Sequence, residues 1–74
     1  MADGFVHTVH ADGHWRNTIE RSGPLPDAYD TKAEAVEAGR TEAQSRQTQH
    51  VIHHEDGTIG ERNSYGNDPV HRPG

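Results

Sequence analysis

Seven of the 74 residues are histidine, and six of these fall into two clusters: His7, His10 and His14, then His50, His53 and His54. Imidazole is the commonest metal ligand among side chains, and zinc needs three or four donors converging within about 2.0–2.3 Å. Both clusters sit in stretches with strand-like composition, where successive side chains point to opposite faces. His7 and His10 then diverge, as do His50 and His53, and so do the adjacent His53 and His54. The weak metal candidates that remain are His50 with His54, on one face four residues apart, and His10 beside Trp15. A site made from them needs ligands from both clusters or from two subunits. The expectation is ordinary sheet histidines, with no metal and no cofactor.

Other chemistry finds less support. Ser22 or Ser64 could be grouped with a histidine and an aspartate, but there is no Gly-x-Ser-x-Gly elbow, and so short a chain has little room for a water-excluding site. Gly57-Thr58-Ile59-Gly60 is too short for a phosphate loop and lacks its lysine. No enzymatic activity is expected. Trp15 and Arg16, with Arg62 on another predicted strand, could stack on and pair with single-stranded bases. Against this stand twelve carboxylates and a formal net charge of -5, which disfavour a general phosphate-backbone binder.

The elements that position these residues have clear local signals. FVHTVHA (5–11) and HWRNTIE (14–20) read as strands around Asp12-Gly13, a strong signal for a type I′ hairpin turn. A two-residue loop pairs Ala11 with His14, His10 with Trp15, Thr8 with Asn17 and Val6 with Ile19. One face then carries Val6, Trp15 and Ile19, the other Phe5, His7 and Val9, and which is buried stays open. RSGPLPDAY (21–29) reads as a loop because of its two prolines, with Leu25 and Tyr29 able to fold back. Thr31 with Glu34 forms a capping box, starting a helix that should run to Arg46 or Gln47. Its apolar stripe (Ala33, Ala35, Val36, Gly39 and Ala43) is narrow, suited to close approach rather than to large buried area. TQHVIHHE (48–55) and TIGER (58–62) flank Asp56-Gly57 as a second hairpin, pairing His54 with Ile59 and Ile52 with Glu61. The ending Ser64-Tyr65-Gly66-Asn67-Asp68-Pro69 reads as a turn pinned by Tyr65, or as a docking motif.

At DTKAEAVEAG (30–39), HVIHHEDGTIGERNSYGNDP (50–69) and the hairpin containing Trp15, the chain resembles domain-of-unknown-function family 2188. These are small prokaryotic proteins, and the resemblance implies the strand-strand-helix-strand layout. It carries no catalytic residues across.

Only ten of the 74 residues are Val, Ile, Leu or Phe, which rules out a membrane span and leaves one modest core. With no cysteine there are no disulfides or thiolate metal sites. The first residues lack a basic region followed by an apolar run, so no signal peptide is read and a cytoplasmic location is expected. The fold expected is α+β, ββαββ, with an antiparallel sheet of three to four strands and one helix on one face. Residues 5–66 form the domain, between a disordered 1–4 and a turn-rich tail, 67–74. The function expected is non-enzymatic association, as a homodimer or with a protein partner, through the open sheet face or an edge strand. Trp15, Ile52 and Tyr65 are its expected interface or core anchors.

Overall fold

Asp12 and Gly13 take φ of 54° and 80°, the left-handed pair that a type I′ turn requires, so two short β-branched runs close into a hairpin. The computed structural model of the protein describes residues 4–66. Strands β1 (Val6–Ala11) and β2 (His14–Ile19) pair in the expected register, from Ala11 opposite His14 to Val6 opposite Ile19. Directly opposed residues share a face, so Val6, Thr8 and His10 lie with Ile19, Asn17 and Trp15. This is the buried face.

The segment read as a loop is a third strand, β3 (Gly23–Tyr29), antiparallel to β2 with Trp15 opposite Tyr29 and Thr18 opposite Pro24. Prolines break ladders only where an amide must donate. At the sheet edge one side of the strand has no neighbour, and Pro24 and Pro26 are tolerated there.

Helix α1 (Lys32–Arg46) starts where expected. Thr31 is extended (φ -124°) and its hydroxyl oxygen accepts from the Glu34 amide at 3.2 Å. The returning half of the box differs: the Glu34 carboxylate accepts from the Thr31 hydroxyl, also at 3.2 Å. Gln47 ends the helix in the left-handed conformation (φ 55°), its amide reaching the Ala43 and Gln44 carbonyls. Ala35, Gly39 and Ala43 are the helix residues that are buried, whereas Ala33 is exposed and Val36 half-buried.

After the helix, β4 (Gln49–His53) lies beside β1 and runs parallel to it, with Val6 opposite His50, His7 opposite Val51 and Thr8 opposite Ile52. β5 (Ile59–Ser64) returns antiparallel to β4. Among the described residues the sheet therefore has five strands, in the order β3-β2-β1-β4-β5, and is mixed, where an antiparallel sheet of three to four strands was expected. A helical crossover supplies the length that a parallel pair needs and no tight turn could span.

The second hairpin also departs from its expected register. Ile52 faces Glu61 as predicted, but Ile59 faces His53 instead of His54, with a bulge between the two pairs. The Asp56 carboxylate accepts from both the amide and the hydroxyl of Thr58, at 3.0 and 2.7 Å, and of the turn pair only Gly57 has a positive φ, 95°. The Gly57 amide donates to the His54 carbonyl at 2.9 Å, giving a three-residue loop in place of a two-residue one.

The helix covers the sheet face bearing Val6, Trp15, Ile19 and Ile52, all 6% exposed or less. Leu25 and Tyr65 pack against Val6, Ile19 and Ala43. The segments read as a disordered start and a turn-rich tail fall, Gly4 apart, outside the described residues.

Candidate functional site

Beneath the helix the sheet centre is polar. Thr8, Asn17 and His50 are all fully buried. The Thr8 hydroxyl donates to Asn17 Oδ1 at 2.6 Å, and Asn17 Nδ2 donates to the Ala35 carbonyl at 3.0 Å. With its one proton committed, Thr8 Oγ1 must accept from His50 Nε2 at 2.6 Å, which fixes the His50 tautomer. His50 Nδ1 is then a buried acceptor with no partner. Burial lowers the His50 pKa from 6.5, with the Arg40 charge adding to it, so the ring is held neutral. These groups meet the helix at Gly39, where a Cβ would lie 2.5 Å from Asn17 Oδ1 and 2.6 Å from His50 Nε2. The polar cluster fixes helix against sheet and has no route to solvent substrates through its own atoms. It is structural.

The opposite face, on which no helix lies among the described residues, carries a second chain of contacts. Alternation places His7, Val9, Arg16, Val51, His53 and Arg62 there. The parallel β1–β4 pairing brings His7 and His53 together, ring centroids 5.1 Å apart, with His7 Nδ1 2.9 Å from His53 Nε2. The outer nitrogens are also engaged. His7 Nε2 donates to Glu20 Oε2 at 2.6 Å, and His53 Nδ1 donates to the Gly57 carbonyl at 3.0 Å. The hydrogen bond from His7 holds the Glu20 carboxyl below its ordinary value of 4.5. Both histidine rings are half-buried and reach solvent.

The residues singled out from sequence are distributed differently. Trp15 is on the helix face, opposite Tyr29, beside His10 at 4.9 Å between centroids and under the Lys32 ammonium at 5.7 Å. Arg16 and Arg62 share the open face, but β1 and β4 lie between their strands, and Trp15 points away from both. The base-stacking arrangement of Trp15 with two arginines is not assembled. Ile52 is buried in the core and Tyr65 is half-buried against it, its amide donating to the Thr48 carbonyl at 3.1 Å. His10, His50 and His54 are not brought together: one stacks on Trp15, one is bonded to Thr8, and the third lies against Gly60. Among the described residues there is no group of three or more His, Cys, Asp or Glu able to hold a metal. The His7–His53 pair was not singled out, because the signal for it is the parallel register of β1 against β4, which no local spacing carries.

A family profile described as an uncharacterized protein conserved in bacteria (DUF2188) matches residues 6–65. The chain belongs to that family. The match spans all five strands and the helix, so membership covers the fold described above. Comparison with curated proteins and with solved structures gave no match. Among the described residues no helix is long and apolar enough to cross a membrane.

Proposed function

We propose that this DUF2188 member is a non-enzymatic association module whose partner is a second copy of itself, joined along the β5 edge. The observation that carries the reading is the asymmetry of the two sheet edges. β3 at one edge contains Pro24 and Pro26, which remove amide donors and blunt it against pairing. β5 at the other edge, IGERNS, has no proline, and no further strand pairs with it among the described residues. Its first residue, Ile59, is the large hydrophobic side chain left exposed among the described residues, at 54%. An edge of this kind presents a row of free amides and carbonyls, and strand addition from a second copy satisfies them in both chains at once.

The edge is a better surface than the open face. That face bears His7, Arg16, His53 and Arg62, and its best-buried apolar residue, Val51, is already 1% exposed within one chain. Trp15 and Ile52 then serve as core anchors that hold the sheet, and Tyr65 secures the end of β5. Sedimentation equilibrium at micromolar concentration tests the reading: a species of twice the 8.2 kDa chain mass is expected. Ile59→Lys should weaken association about tenfold or more while leaving the monomer folded, since the position is exposed. An 8.2 kDa species at every concentration contradicts it.

A further inference from the structure

The hydrogen bonds on the open face leave two nitrogens in an unusual relation. An ionised Glu20 carboxylate can only accept, so the 2.6 Å contact places the His7 ring proton on Nε2. The Gly57 carbonyl likewise only accepts, so the 3.0 Å contact places the His53 ring proton on Nδ1. A neutral imidazole has one ring proton. With one ring proton on each ring, His7 Nδ1 and His53 Nε2 are both lone pairs, and they lie 2.9 Å apart. Such a pair is held together by a cation shared between the two nitrogens, a single proton or a metal ion that displaces it.

We propose that His7 and His53 form a two-histidine site for a divalent transition-metal ion of the zinc and copper class, bound through His7 Nδ1 and His53 Nε2. The surroundings of the rings fit that role. Metal-ligating histidines donate their second ring N–H to a carboxylate or a backbone carbonyl, which orients the ring and raises its basicity. Glu20 does this for His7 and the Gly57 carbonyl does it for His53. Two nitrogens each about 2.0–2.1 Å from a tetrahedral zinc lie roughly 3.3 Å apart, so the pair has to open by a few tenths of an ångström from 2.9 Å and the rings must turn so that both lone pairs converge on the ion.

The wider face sets the strength and selectivity of the site. With two imidazoles as its protein donors and water completing the coordination, it favours zinc or copper over magnesium or calcium. Arg16 and Arg62 share this face and oppose a cation, while Glu20 is the carboxylate that offsets them. The absence of a third protein donor among the described residues makes it an exchangeable site, not a structural one. It requires one chain only and does not depend on self-association.

The test is calorimetric titration of the tag-free, chelator-treated full chain with zinc chloride at neutral pH, followed by long-range proton–nitrogen spectra of its imidazoles. One zinc per chain is expected, with the His7 and His53 nitrogens shifting first and those of His10 and His50 holding still. His53→Gln should weaken binding on the order of tenfold or more, and Glu20→Gln on the order of tenfold through its hold on His7. His10→Gln and magnesium chloride serve as controls, leaving affinity unchanged and giving no binding heat respectively. Absence of zinc heat, shifts that begin at other histidines, or full affinity in His53→Gln would overturn the site. Because the spectra are read on the unaltered chain, a variant that fails to fold does not remove the test.

Discussion

Gly39 is where helix and sheet come closest, and its missing side chain is what allows three buried polar residues to bond one another beneath α1. Alanine there gains about 1 kcal/mol of helix propensity. It also drives a methyl to within 2.5–2.9 Å of Asn17, His50 and Thr8, whose atoms are held by their own hydrogen bonds. Overpacking of that kind costs about 1–3 kcal/mol, so Gly39→Ala should lower the urea midpoint, by a net loss of up to about 2 kcal/mol. A stability gain would show that the cluster is not close-packed. His50 makes the same centre sensitive to pH. Its pKa is depressed in the folded protein, chiefly by burial, so between that value and 6.5 the unfolded chain binds more protons than the folded one. Stability therefore rises with pH through this window and falls on acidification from neutral pH. Urea unfolding followed from neutral to mildly acidic pH should show that slope, and His50→Gln should flatten it. The alternation of Val6, Trp15 and Ile19 was legible because one register fixes it. The pairing of Thr8 with Asn17 was legible for the same reason, but the bond from Thr8 to His50 was not, because it crosses the parallel pair.

The elements differ in how locally they are determined. The first hairpin is written in Asp12-Gly13 alone, and every predicted pair forms. The helix start is equally local, and Thr31→Ala should cost about 1 kcal/mol by removing the acceptor for the Glu34 amide, measured as a lowered thermal midpoint. An unchanged midpoint would mean that packing alone places the helix end. The second Asp-Gly looks the same on paper and behaves otherwise, because Asp56 turns its carboxylate onto Thr58 and lengthens the loop. β3 was hidden by its prolines, which speak against a central strand and are silent about an edge. The parallel β1–β4 pair had no signal within either strand. It follows from the crossover of β2, β3 and α1 between them, and with it come the five-strand order and the His7–His53 contact on the open face.

At the scale of the whole molecule, few apolar residues fold a sheet with one layer on it. Small residues on α1 allow close approach, a polar cluster takes the place of a larger apolar centre, and one sheet face stays open. One edge is closed to pairing by proline and the other is not. The proposed self-association along β5 rests on that asymmetry, and hydrogen exchange tests it most directly. The β5 amides that point away from β4 should exchange freely in dilute solution and become protected as concentration rises, while the β3 edge is unchanged. Protection that is independent of concentration, or that appears on the open face and not along Ile59–Ser64, would contradict the account.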